Sequence, residues 1–215
     1  MINVVVSRFR RDTSFVYKLK GVHRFFIYDK ETPENPNNIP VNKGQEASVY
    51  LKYIIDRYDK LTDFTFFIHD EEYAWHHSGS IVDRFDEALA SGKKYFNIND
   101  KSIHNHNILE HEWFNELLVW YNTYIEKYIP MNSLPNKNWI FGQRGSAQFL
   151  VHKSLITRLP KKFYEDLYQW IITTNIGSAK SAIFVEWTWR LFWDTENETS
   201  QNGSEMSNVE VETST

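Results

Sequence analysis

The sequence predicts an α/β domain, with a mixed, mostly parallel central sheet flanked by helices on both faces. Three observations carry that expectation. Short apolar runs rich in β-branched and aromatic residues recur along the chain, segments with helical spacing separate them, and each run stops at polar residues. A run that is apolar throughout, rather than alternating, suits a strand covered on both faces.

Taken in order, Ile2–Val6 (INVVV) is the first such strand, ending at Ser7-Arg8. Residues 12–19 read as a short helix after Asp12. Arg24–Tyr28 (RFFIY) is a second buried strand and closes on Asp29-Lys30. Residues 31–45 hold three prolines and four asparagines and read as a loop. Gly44 then opens a helix in which Ala47, Tyr50, Leu51, Ile54, Ile55 and Tyr58 fall at helical spacing. Phe64–Ile68 is a third buried strand, followed by His69-Asp70-Glu71-Glu72. Helices are expected over 81–90 and 110–128, a strand over 146–151, and a helix over 161–173. A final helix runs from Phe184 to Phe192. Residues 194–215 are polar and acidic with almost no bulky apolar groups, so they read as a disordered linker to further domains. Residues 1–193 then form one domain.

Composition narrows the function. The chain has 215 residues, no cysteine, and 8 Trp, 12 Tyr and 15 Phe. The missing cysteines exclude disulfides, thiolate zinc sites and thiol nucleophiles. Together with the absence of an apolar leader, they make a reducing, cytoplasmic location the expectation. No apolar run approaches the roughly 20 residues of a membrane span. Six of the 28 acidic residues lie in the tail, so the body carries 24 basic against 22 acidic. A nearly neutral body without a basic stripe argues against a nucleic-acid binder.

In open α/β sheets, ligands bind beyond the carboxyl ends of the strands. The candidate site is therefore Ser7-Arg8, Asp29-Lys30, His69 to Glu72, and His152. Neither a dinucleotide Gly-x-Gly-x-x-Gly, nor a P-loop, nor a Gly-x-Ser-x-Gly elbow is present.

Within this set, three successive carboxylates after a strand repel one another unless a cation sits among them. Oxygen ligands at i and i+2 can share Mg²⁺ or Mn²⁺, which in turn holds a diphosphate; the alternative is a solvated acidic turn. Asn42 to Glu46 precedes a helix, whose N-terminus suits a phosphate; plain N-capping by Asn42 is the simpler reading. Glu186 lies among tryptophans (FVEWTWRLFW), where desolvation would raise its pKa and make it a better base. It is also spaced to pair with Arg190. His76, His77, His104, His106 and His111 show no ligand spacing and read as surface or hydrogen-bonding histidines.

Two stretches carry a resemblance. The run NKGQEASVYLKYIIDRYDKLTDFTFFIHDEEYAWHH resembles glycosyltransferase-like domains of the DUF3431 type, as do GSAQFLVHKSLITRLPKKFYEDLYQWI and FVEWTWRLFW. The similarity covers most of residues 2–193 and extends to the domains that open large multi-domain chlorovirus glycosyltransferases. The resemblance implies a GT-A-like fold, a nucleotide-sugar donor of the UDP-sugar type, and a divalent Mn²⁺ or Mg²⁺. It implies sugar transfer onto a glycan acceptor of a viral capsid protein, in the host cytoplasm. On matching positions, Ser7, Arg8, Phe9, Tyr28 and Asp29 would line the nucleoside pocket. Asn42, Gln45, His69 and Asp70 would contact the donor, Asp70 and Glu72 would hold the metal, and Glu186 would be the base. Gln45 stands where the group usually has Arg, and His152 where a small polar residue is usual. A nucleotide- or sugar-binding module without turnover, or a metal-dependent hydrolase, would use the same residues.

Overall fold

The computed structural model describes residues 1–32, 34–39, 41–99, 111–131 and 147–193. Its five strands are β1 (Ile2–Arg8), β2 (Val22–Asp29), β3 (Phe64–His69), β4 (Tyr95–Asn97) and β5 (Phe149–His152). They form one sheet in the order β2-β1-β3-β5-β4. β1 pairs in parallel with both β2 and β3, while β5 is antiparallel to β3 and to β4. Four strands therefore run one way and β5 alone runs back.

The expected strands are all present. β1 is buried from Asn3 to Ser7, as a strand paired on both sides should be. β2 departs from the expectation of full burial: His23 and Arg24 are exposed, because this strand lies at the sheet edge. The three-residue β4 was not anticipated, being too short to show a period. The reversed β5 places His152 beside Phe64, at the amino end of β3 and away from His69. His152 therefore leaves the candidate site. Its Nδ1 instead accepts the Ser154 N–H at 3.2 Å.

Side-chain alternation sorts the sheet into two cores. Val5, Phe26, Phe67, Phe149 and Val151 face one way, and Val4, Val6, Phe66, Ile68 and Leu150 the other. Helix α1 (Gln45–Arg57), α5 (Lys161–Thr173), α6 (Ser178–Glu186) and α7 (Trp189–Trp193) cover the first face. Helix α2 (Ile81–Ala90) and a single 3₁₀ turn at Ser14–Lys18 cover the second. The 3₁₀ turn is what the short helix expected over 12–19 becomes. α2 and α5 match their expected bounds, and α3 (Phe114–Tyr124) is shorter than the expected 110–128. The short α4 (Lys153–Ile156) follows β5 directly.

The expected helix from Phe184 to Phe192 is broken in two. The buried Thr188 hydroxyl donates to the carbonyls of Phe184 and Val185 at 3.1 and 2.8 Å. Such back-bonding bends helices. The break leaves Glu186 and Trp187 at the end of α6 and returns α7 to the core. There Trp189 and Trp193 stack with ring centroids 5.1 Å apart, both wholly buried. The tail 194–215, with its expected linker role, lies outside the described residues. No helix among them is long and apolar enough to cross a membrane.

Candidate functional site

The chain passes from β1 to β2 on one side and then crosses to β3 on the other. The sheet's switch point therefore lies between the carboxyl ends of β1 and β3, where open α/β sheets bind ligands. A cavity of about 920 Å³ opens there. Of the sequence-predicted residues, Ser7, Phe9, Lys30, Asn42, Gln45, His69, Asp70, Glu71 and Glu186 line it.

Besides His152, four predicted residues do not. Tyr28 is buried in the core under α1. Asp29 is spent on the following loop, accepting from the Glu31 N–H at 2.9 Å, Thr32 Oγ1 at 2.8 Å and Arg8 at 3.2 Å. Arg8 is held there and by the Arg11 carbonyl. Glu72 faces away, accepting from Lys18 Nζ at 2.8 and 3.0 Å and from Ser80 Oγ at 2.9 Å. Lys18 holds the Glu72 carboxyl below the ordinary range.

The acidic triplet is thus resolved by partners, since adjacent like charges need cations to be held together. Glu71 pairs with Arg11 and Glu72 with Lys18. Asp70 accepts the Phe9 N–H at 2.6 Å, tying the ends of β1 and β3 together. Among the described residues no three His, Asp or Glu side chains converge tightly enough to hold a metal by themselves. A divalent ion here fits only as Mg²⁺-type ions often bind, through one carboxylate with the rest of the shell from substrate phosphates and water. Asp70 is the carboxylate in position for that.

The start of α1 forms another wall. Asn42 does not cap it. Gly44 occupies the cap position with φ 71°, followed by Gln45 at φ 44°, both left-handed. A Cβ at position 44 would overlap the Ile171 side chain of α5, so only glycine fits there. The Gly44 N–H donates to Ser178 Oγ of α6 at 2.9 Å, and Lys30 donates to the Gln45 carbonyl. This close approach places Glu46, in the first turn of α1, opposite Glu186.

Burial governs the charges. Desolvation, reinforced by the charge of Glu46, pushes Glu186 up to about 8. Glu46 is itself raised by burial, with Lys30 partly offsetting. Burial draws Lys30 down to about 8, against the pull of Glu46 and Asp70. It draws His69 down to about 4, leaving the ring neutral at pH 7, with Nε2 3.8 Å from Glu46 Oε2. The Tyr50 hydroxyl, one turn along α1 from Glu46, is buried with no hydrogen-bond partner among the described residues. Whereas the sequence spacing also allowed a pair with Arg190, the charge that acts on Glu186 most after burial is that of Glu46.

Glu46, Arg11, Trp75, His76, His111 and Trp187 also line the cavity. Sequence reasoning named Glu46 only as the end of the segment before α1, with no role of its own. Its signal was available: a glutamate four residues before Tyr50 sits on the helix face that carries the apolar stripe. His76 and His77 are buried rather than surface residues, and His104 and His106 lie outside the described residues. No curated protein matches the chain. A family model described as a protein of unknown function, DUF3431, matches residues 4–207. The chain belongs to the DUF3431 family.

Proposed function

We propose that this domain is a glycosyltransferase that moves a sugar from a nucleotide-sugar donor, UDP-linked, to a glycan hydroxyl. One observation carries the reading. A desolvated carboxyl, Glu186, shares a strand-end cavity with an open carboxylate, Asp70, and a half-buried cation, Lys30. The mixed, mostly parallel sheet agrees with a GT-A-like domain. The resemblance adds the finer proposal of a viral enzyme acting on capsid glycan in the host cytoplasm, with further domains after the linker.

In the proposed chemistry the ionised Glu186 takes the acceptor hydroxyl proton. The acceptor oxygen forms its bond to the anomeric carbon, and the bond from that carbon to the diphosphate breaks, its electron pair leaving with the nucleoside diphosphate. A single displacement of this kind inverts configuration. Lys30 and the Gln45 backbone it holds supply positive charge near the leaving group, which is where such reactions need stabilisation. Asp70 would hold a Mn²⁺ or Mg²⁺ ion, which when bound neutralises the diphosphate. The half-buried, neutral His69 adds no charge to this end of the cavity.

The test is calorimetry with UDP-sugars and a GDP-sugar, each with Mn²⁺ and with EDTA. Metal-dependent binding of one UDP-sugar is the expected result. Absence of binding to every nucleotide sugar refutes the reading. Donor consumption with and without a glycan acceptor then separates transferase from hydrolase, and from a binding module that consumes nothing.

A further inference from the structure

We propose that Glu46 and His69 together bind one hydroxyl of the sugar being transferred, which makes Glu46 the residue that selects the donor sugar. The inference rests on the transferase reading above. Position is the first ground for it. In a single displacement the anomeric carbon lies between the leaving diphosphate and the acceptor oxygen, and the groups that serve them must flank it. Asp70 and Lys30 mark the diphosphate end of the cavity, and Glu186 marks the acceptor end. Glu46 is tied to both. Its Oε2 lies 3.8 Å from Nε2 of His69, the residue before Asp70, and Lys30 donates to the carbonyl of Gln45, the residue before Glu46. On the other side, the Gly44 N–H bonds Ser178 Oγ at the start of α6, the helix that ends at Glu186. All of these side chains line the one cavity. A sugar ring held between the two ends therefore passes along Glu46.

Unmet hydrogen bonds are the second ground. A separation of 3.8 Å is too wide for a hydrogen bond between Glu46 and His69. His69 Nε2 is buried with no hydrogen-bond partner among the described residues. Buried polar atoms are nearly always paired, so such an exception calls for a reason. One oxygen placed about 2.8 Å from each atom spans the gap and bonds both.

The chemistry of that oxygen follows from its neighbours. Burial favours the protonated form of Glu46, while Lys30 favours the ionised one. A hydroxyl suits either form, because it donates and accepts at once. It can donate to the carboxylate while accepting from an imidazole N–H, or donate to the bare imidazole nitrogen while accepting from the carboxyl proton. A sugar with no hydroxyl at that position would leave both groups unpaired. Glu46 is 8% exposed, so water would return little of the lost bonding. Sites built in this way reject the analogue that lacks the hydroxyl.

The experiment is calorimetry in Mn²⁺. UDP, UDP-glucose, UDP-galactose and the analogues of both sugars that lack one hydroxyl at a time are titrated into wild type, Glu46→Gln and Glu46→Ala. Wild type is expected to prefer one UDP-sugar over UDP, and one deoxy analogue of that sugar should bind about 10–100-fold more weakly than its parent. Glu46→Ala should lose a similar factor on the parent sugar and almost nothing further on that analogue, because both deletions remove the same bond. Glu46→Gln, which keeps the shape and can still bond a hydroxyl, should fall between the two. UDP itself should bind all three proteins within about twofold, which separates a lost sugar contact from a damaged fold.

Deoxy analogues that all bind wild type as their parents do would mean that the gap holds only water, and would overturn the proposal. So would UDP-sugars that bind no better than UDP, or losses from the analogue and from Glu46→Ala that simply add. Variants that lose UDP as much as UDP-sugar would make Glu46 a structural residue and overturn it as well. In each of these cases nucleotide binding by wild type leaves the transferase reading standing. A wild type that binds neither UDP nor any UDP-sugar refutes that reading, and this proposal with it.

Discussion

Glu186 carries the sharpest expectation at the residue scale. As a general base its replacement in Glu186→Gln should lower transfer by roughly 10²–10⁴, read as turnover with saturating donor. The same variant makes an independent thermodynamic prediction. In the fold Glu186 keeps its proton up to about pH 8, whereas its ordinary value is 4.5. Between those values the folded state binds more protons than the unfolded one, so this carboxyl's contribution to stability declines as pH rises through the window. Gln cannot ionise. Glu186→Gln should therefore melt higher than wild type at pH 8.5 and close to it at pH 4. A variant that melts lower at both would mean the carboxyl is a structural partner rather than a strained base. Asp70→Asn should weaken donor binding in Mn²⁺ while leaving binding in EDTA little changed, since the lost charge matters most to a bound cation. Equal calorimetric affinities for the two proteins in Mn²⁺ would remove Asp70 as a metal ligand.

At the scale of elements, the entry to α1 and the break between α6 and α7 build the site. Gly44 is pressed against Ile171 and held left-handed by the Ser178 contact. Gly44→Ala should cost about 1–3 kcal/mol by overpacking and backbone strain, measured by urea unfolding. Adding Ile171→Ala makes space but leaves the φ of 71°, so only part of the loss should return. Full recovery would show that the backbone carries no strain. Thr188 does the corresponding work at the other wall, since its hydroxyl bonds end α6 where Glu186 can face Glu46.

On the scale of the whole molecule, the sheet separates stability from chemistry. Its larger core is an aromatic assembly around Trp189, Trp193, Phe67 and Phe149, far richer in rings than the smaller core beneath α2. The strand ends and helix starts are left to form the cavity. Two half-buried groups of opposite sign then shape the pH response of the whole reaction. Glu186 must lose its proton to act, and does so near 8; Lys30 must keep its own, and loses it near 8. Transfer should rise with pH toward about 8 and fall above it, giving a narrow optimum in the initial-rate profile. A rate flat from pH 5 to 7 would exclude Glu186 as the base.

The fold class was legible because burial is written locally. INVVV and FTFFI are apolar at every position but one, Asn3 and Thr65, and strands so nearly continuous in apolar residues lie inside a parallel sheet whatever follows them. The carboxyl ends of β1 and β3 were identifiable for the same reason, as was a glutamate enclosed by tryptophans. Direction was not legible. FLVH reads the same whether its strand runs parallel or antiparallel, so only long-range pairing with Phe64–Phe67 could remove His152 from the site. Nor could the triplet Asp70-Glu71-Glu72 declare which carboxylate faces inward, because Arg11 and Lys18, which claim two of them, lie more than fifty residues earlier. The pairing of Glu46 with Glu186 spans 140 residues and depends on one glycine's close approach to another helix. Sequence alone determined where apolar matter is buried; tertiary structure decided which charges meet, because charges interact through space rather than along the chain.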